Sequence, residues 1–231
     1  SPLPFRGGDL SIRQAAVALL TRMDWQPTDL DVQLRYHIAA QHWEALADLG
    51  MPAIEALIAA LDTGAWKTRQ GAAEALGNIG DPQAVDALSM AIRDRSLQVR
   101  QTVVKSLGQI GGRKTVDPLI AALDDEDPRV RDAAIASLVQ TGDIAIDPLV
   151  AVLSSSQARV RKAAAEVLER LDWHPDTPEL EAYNLIALQS WEACVALDTA
   201  AVIRFLAVPD ARTSEVREAA VRALGESGDV R

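Results

Sequence analysis

Four stretches of the chain line up residue for residue: Thr68-Arg69-Gln70-Gly71-Ala72-Ala73-Glu74-Ala75-Leu76, Val99-Arg100-Gln101-Thr102-Val103-Val104-Lys105-Ser106-Leu107, Val130-Arg131-Asp132-Ala133-Ala134-Ile135-Ala136-Ser137-Leu138 and Val160-Arg161-Lys162-Ala163-Ala164-Ala165-Glu166-Val167-Leu168. Ile12-Arg13 with Leu20 and Val216-Arg217 with Leu224 add two more copies. In each copy Leu follows Arg by seven residues. Successive arginines stand 56, 31, 31, 30 and 56 residues apart. Self-similarity at such a period is the mark of a repeat architecture, in which each unit buries its apolar face on its neighbours.

The two long spacings each hold a related insertion. The first reads Met23-Asp24-Trp25, Pro27, then Ile38-Ala39-Ala40-Gln41-His42-Trp43-Glu44-Ala45. The second reads Leu171-Asp172-Trp173, Pro175, then Ile186-Ala187-Leu188-Gln189-Ser190-Trp191-Glu192-Ala193. Trp25 and Trp173 are 148 residues apart, as are Arg13 and Arg161. A short repeat of about 31 residues is thus nested in a longer unit of 148, with insertions at about 24–50 and 172–198.

Each short repeat reads as two helices. Val99, Val103, Leu107 and Ile110 form one apolar stripe at helical spacing, and Val116, Leu119, Ile120 and Leu123 form a second. Gly108, Gly111 and Gly112 are expected to close the first helix and turn the chain. Asp117-Pro118 and Asp147-Pro148 are expected near the start of the second, where a missing N–H matters least. No stretch alternates as a strand would.

Composition sets outer limits. The 231 residues are 48% hydrophobic and 24% charged, an ordinary globular balance. The formal net charge of −10, with no basic block, makes a grip on phosphate backbones unlikely chemistry, so nucleic acid is a poor partner. One cysteine, Cys194, rules out an intrachain disulfide. No signal peptide is legible at the start, and no apolar run approaches the roughly 18 residues of a membrane span. These features lead to the expectation of a cytoplasmic chain without membrane partners.

The unit Asp-x-x-Val-Arg-x-x-Ala-Ala-x-x-Leu-Gly-x-Ile-Gly-Asp-x-x-Ala-Val-x-x-Leu, most complete from Arg69 to Leu88, resembles HEAT repeats of the phycobilisome-lyase type. The resemblance covers essentially the whole chain. It implies an all-α, right-handed α-solenoid of helix pairs, here a single array over 1–231. It further implies that the Val-Arg helices line a concave side. The exposed positions there would be the residue before Val and those two, six and ten after it. They read Lys67, Gln70, Glu74 and Asn78; Gln98, Gln101, Lys105 and Gln109; Arg129, Asp132, Ala136 and Gln140; and Arg159, Lys162, Glu166 and Arg170. Such a surface suits a protein partner with an acidic or amide-rich face.

The groups able to do chemistry are few. An arginine present in every repeat (Arg13, Arg69, Arg100, Arg131, Arg161, Arg217) is expected to serve the repeat. It would hydrogen-bond an Asp such as Asp94, Asp124 or Asp127, or a helix-end carbonyl, rather than bind a free anion. His37 and His42 are five apart, off one helical face, and His174 stands alone. The di-iron hydroxylases of HEAT type carry His-Glu pairs, and none occurs here, so neither a metal nor that activity is expected. Cys194 lies on an apolar helical stripe and reads as a small buried hydrophobe. The Gly77–Gly80 and Gly108–Gly111 pairs follow helices and lack a Lys-Ser/Thr partner, so they read as helix ends and not as phosphate loops.

The tryptophans Trp25, Trp43, Trp173 and Trp191 are expected to pack in pairs that wedge each insertion into the stack. Trp66 precedes its helix and is the exception, an exposed anchor for a partner. The functional expectation is a non-catalytic scaffold with no cofactor. Its partner-binding residues would be Trp66, Lys67, Gln70, Gln98, Gln101, Lys105, Arg129, Asp132, Arg159, Lys162 and Glu166. A bilin-lyase-like, chromophore-handling subunit is the alternative that the resemblance implies. The sequence starts without Met and stops at Gly225–Arg231, before a further helix is due. That suggests a piece of a longer array whose exposed end could pair end to end.

Overall fold

The computed structural model describes residues 10–190 apart from 26, 28, 63 and 189, with side-chain exposure from residue 15 onward. Among them all regular structure is helical. The chain divides into two compact units, Ser1–Pro118 and Leu119–Arg231. Trp191, Cys194, the Arg217 copy and the part of the 172–198 insertion from 191 on lie outside the described residues.

The first unit holds α1 (Leu10–Arg22), α2 (Leu30–Ala40), α3 (Trp43–Leu49), α4 (Ile54–Leu61), α5 (Trp66–Ile79), α6 (Val85–Ala91) and α7 (Leu97–Ile110). The division falls within α8 (Arg113–Ala122). The second unit holds α9 (Pro128–Thr141), α10 (Ile146–Val152), α11 (Ala158–Arg170) and α12 (Pro178–Ala187). Short 3-10 turns, Met51–Ala53, Pro82–Ala84 and Gly142–Ala145, lead into α4, α6 and α10.

The Val-Arg stretches begin at the third residue of α5, α7, α9 and α11 and run through the middle of each helix, and their seventh-residue leucines form the core. Leu76, Leu107, Leu138 and Leu168 are fully buried, as are Val99, Val130 and the alanines at 72, 73, 134, 164 and 165. Burying each Leu is worth about 1.5–3 kcal/mol. Alanine contributes less area but lets helix axes approach, and α5 packs on α7 more extensively than on any other element. In the second unit α11 packs on both α9 and α10.

The glycines divide into two jobs. Gly80 (φ 73°) and Gly111 (φ 66°) are the caps that end α5 and α7, each returning its N–H to the carbonyl of Leu76 or Leu107. Gly77 and Gly108, expected at helix ends, are instead buried inside α5 and α7. A Cβ at Gly77 would lie 2.7 Å from Ser106 Cβ, so its absence is what allows the α5–α7 approach. Ser106 Oγ donates to the Ala73 carbonyl at 2.8 Å across the same seam.

Pro148 sits in the first turn of α10 as expected. Pro118 does not sit at a helix start. The turn that is 3-10 elsewhere is continuous with α8, anchored by the Thr115 hydroxyl on the Gly112 carbonyl at 2.9 Å, so Pro118 falls inside the helix. By length and apolar composition alone, Pro128–Val152 could cross a membrane. It is two helices, however, broken at Gly142 (φ 72°), with Leu138 and Leu149 buried against the rest of the unit.

The first insertion forms α2 and α3. Trp25 and Trp43 take different neighbours. Trp25 meets Tyr36 edge-on with ring centroids 5.7 Å apart, while the Trp43 indole occupies the space a Cβ on Gly71 would need. At the entry, Asp24 takes a left-handed φ of 50° and Trp25 N–H returns to the Leu20 carbonyl at 3.1 Å. The same turn recurs at Asp172 (φ 56°), where Trp173 N–H reaches the Leu168 carbonyl at 3.0 Å. Aspartate tolerates that region better than most residues.

Candidate functional site

The repeated arginines are structural. Arg69, Arg100 and Arg161 are buried, and these three and Arg131 each donate to a carbonyl five or six residues earlier. Arg69 Nη1 reaches Gly64 O at 2.8 Å, and Arg100 Nη1 reaches Asp94 O at 3.1 Å. Arg131 Nη1 reaches Asp125 O at 2.7 Å and Glu126 O at 3.0 Å, and Arg161 Nη1 reaches Ser155 O at 2.7 Å. Each thereby ties the loop before its helix to the helix itself.

Arg69 adds a two-pronged pair with Asp94, Nε to Oδ2 at 2.6 Å and Nη2 to Oδ1 at 2.9 Å. Burial alone would push the Asp94 carboxyl up. The hydrogen bonds from Arg69 and the Ser96 N–H, with the charges of Arg69 and Arg95, outweigh it and hold the carboxyl below its ordinary value. The Arg69 guanidinium is raised, chiefly by the same hydrogen bond. Among the expected aspartates, Asp94 serves a repeat arginine through its side chain. Asp127 pairs with Arg129 at 2.9 Å, and Asp124 with Arg159 at 3.7 Å and with Gln157 Nε2 at 3.0 Å.

Opposite the leucines, α5, α7, α9 and α11 each present an exposed stripe at the positions anticipated from the repeat. Lys67, Glu74 and Asn78 are exposed on α5 and Gln70 is half-buried. On α7, Gln98, Lys105 and Gln109 are exposed and Gln101 is half-buried. The second unit repeats the pattern, with Arg129, Asp132, Ala136 and Gln140 exposed on α9. Arg159, Lys162 and Arg170 are exposed on α11, beside half-buried Glu166.

Internal pairing sorts these residues. Arg129 and Arg159 are committed to Asp127 and Asp124, and Arg170 pairs with Glu166 one turn away. Gln70 Nε2 donates to Thr102 Oγ1 at 3.3 Å, bridging α5 and α7, and Gln98 accepts from Ser96. Lys105, Lys162, Gln101 and Asp132 carry no hydrogen bond or ion pair among the described residues. Trp66 is 40% exposed at the start of α5, with the Lys67 ammonium 5.7 Å from its ring centroid.

One pair escaped the sequence reading. His37 and His42 are not on one helical face, yet their Nδ1 atoms lie 3.4 Å apart. The reason is that α2 ends at Ala40 and Gln41 turns left-handed (φ 58°), swinging His42 back onto the helix end. Tyr36 lies edge-on to both rings. The His37 imidazole is pushed below its ordinary value, first by burial and then by the His42 charge. No described group of three His, Cys, Asp or Glu could hold a metal ion.

Comparison with known proteins bears on the fold alone. No curated protein matches the sequence. Among solved structures, the complex of CpcE and CpcF of phycocyanin lyase from Nostoc sp. PCC7120 is 21% identical, covering 98% of this chain and 97% of that one at a TM-score of 0.44. An engineered protein is 22% identical over 94% of this chain and 96% of its own, with a TM-score of 0.43. A designed armadillo repeat protein is 17% identical over 95% and 100%, with a TM-score of 0.40. The HEAT-repeat family profile matches residues 28–99 and 88–169, which together span more than half of the sequence and contain the four best Val-Arg copies. With helix pairs, buried leucines and arginine-tied loops recurring at that spacing, the chain belongs to the HEAT repeat family.

Proposed function

We propose that this repeat scaffold is non-catalytic and holds a protein partner on the polar stripes of α5, α7, α9 and α11. The observation that carries the reading is the division of labour within each repeat. Leucine and alanine are spent on the core and the repeat arginine on its own loop, while a stripe of different residues stays exposed in each of the four described copies. Surface that repeats in position but varies in identity suits recognition of an extended partner, one segment per repeat. Trp66, Lys67, Gln70, Gln98, Gln101, Lys105, Arg129, Asp132, Arg159, Lys162 and Glu166 form the proposed contact set. Within it, Lys105, Lys162, Gln101 and Asp132 have side chains without internal commitments. Arg129 and Arg159 would contribute only by exchanging an existing aspartate for the partner's group.

Lysine-directed cross-linking in lysate, read by mass spectrometry, tests the reading. One partner protein cross-linked to both Lys105 and Lys162, with Lys114 on α8 unlabelled by it, is the expected result. A partner cross-linked only through Lys114 would contradict it.

A further inference from the structure

A cleft of about 700 Å³ opens in the first unit between the end of α4 and the end of α6. It lies apart from the polar stripes. Ile58, Leu61, Ala87 and Ala91 give it an aliphatic wall, and Met90, 82% exposed, stands at its edge. The Arg69–Asp94 pair also lines it, with both side chains at or below 10% exposure. Arg93 and Arg95, on the loop between α6 and α7, complete the lining and are exposed.

The charges around this cleft are unevenly used. Asp94 has its oxygens taken by Arg69 and the Ser96 N–H, and all three Arg69 donor groups are engaged. Arg93 and Arg95 form no hydrogen bond or ion pair with a described residue. Asp62, the remaining carboxylate of the lining, pairs with neither. Two guanidiniums without a hydrogen bond or ion pair to a described residue, Arg95 acting on Asp94 only through its charge, therefore flank an aliphatic wall on a chain whose net charge is −10. Guanidinium favours planar two-oxygen acceptors, and the wall favours an aliphatic side chain next to them. A lone small anion would leave the wall unused, and a purely apolar segment would leave the arginines unmet.

We propose that this cleft docks an acidic peptide segment of a partner protein, a carboxylate on Arg93 or Arg95 and a neighbouring aliphatic side chain on Ile58, Leu61, Ala87 and Ala91. The site adds a second contact surface to the scaffold reading and rests on that reading only for the class of occupant.

The test titrates the whole chain into a fluorescein-labelled dodecapeptide of repeated Leu-Glu-Glu, with repeated Leu-Lys-Lys as the control, by fluorescence anisotropy. In parallel, methyl-13C methionine spectra report Met23, Met51 and Met90 separately. The expected result is saturable binding of the acidic peptide alone, a shift of the Met90 methyl without movement of Met23 or Met51, and a loss of affinity of about tenfold or more in Arg93→Glu/Arg95→Glu. Both changes are on an exposed loop, and an unchanged melting temperature confirms that the variant folds. Ala91→Glu, which places a like charge on the aliphatic wall, should weaken binding in the same way. Binding that survives Arg93→Glu/Arg95→Glu but is lost in Lys105→Glu overturns the cleft and leaves the stripes standing. Absence of binding up to about 1 mM peptide also overturns it. Self-association of the chain that the same double variant abolishes would make a second copy the occupant, again against the proposal.

Discussion

Arg69 is 6% exposed, and its guanidinium joins three places in the first unit: its own helix α5, the loop carbonyl of Gly64 and Asp94 beyond α6. Removing it leaves Asp94 as a nearly buried carboxylate without its principal partner. Arg69→Ala should therefore destabilise by about 3–5 kcal/mol, read by denaturant unfolding. Arg131→Ala removes only hydrogen bonds to the Asp125 and Glu126 carbonyls from a half-buried site and should cost about 1–3 kcal/mol, lowering the melting temperature by several degrees. An unchanged melting temperature in Arg131→Ala would contradict the structural role of the repeat arginines.

The pair also has a pH signature. Asp94 titrates lower in the folded chain than its ordinary 3.8, so its stabilisation is fully present above that value. It is lost as pH falls through the lower folded value. Acid unfolding curves should show this loss in the wild type and a smaller one in Arg69→Ala. At the surface, Trp66 combines exposed aromatic area with the nearby Lys67 charge. Trp66→Ala should reduce partner affinity by more than about twofold without moving the melting temperature. A change within twofold would remove Trp66 from the contact set.

Between helices, closeness is set by missing atoms. Gly77→Ala would put a methyl 2.7 Å from Ser106 Cβ, which cannot swing away as the Gln109 amide can. A loss of about 1–3 kcal/mol is expected from calorimetry, the usual range for overpacking. Gly71→Ala would collide with the Trp43 ring at 2.1 Å. It should displace that indole, giving red-shifted tryptophan emission along with lower stability. An alanine at either position that leaves stability unchanged would contradict the tight α3–α5 and α5–α7 seams.

These seams also show what sequence can and cannot convey. Periodicity made the helices, the buried leucines and the exposed stripes legible, because each depends only on which residues share a face at 3.6 per turn. It did not separate Gly77 from Gly80, since a glycine that caps and a glycine that packs look alike until the neighbouring helix is in place. The His37–His42 approach was hidden for a related reason. A five-residue spacing separates side chains on a continuous helix, and nothing in the sequence announced that Gln41 would turn left-handed between them. Pro118 misled in the opposite direction, because the usual proline position presumes a helix start that α8 places five residues earlier.

At the scale of the molecule, the two units Ser1–Pro118 and Leu119–Arg231 each combine a leucine-alanine core with exposed polar stripes. The existence of the stripes was legible from spacing. Which of their charges are available was not, because Arg129–Asp127 and Arg159–Asp124 depend on where the preceding loops bring their aspartates. The uncommitted cations Lys105 and Lys162 are consequently the sharper probes, one in each unit. The cleft edged by Arg93 and Arg95 had no sequence signal at all, since its lining comes from four separate parts of the first unit.

The most direct test of the scaffold account is an affinity measurement between the captured partner and two forms of this chain, wild type and Lys105→Glu/Lys162→Glu. Both substitutions are at exposed positions, so the melting temperature should not change. The account predicts a loss of partner affinity of about tenfold or more in the variant. Affinity within twofold of wild type, in a variant that melts normally, would contradict it.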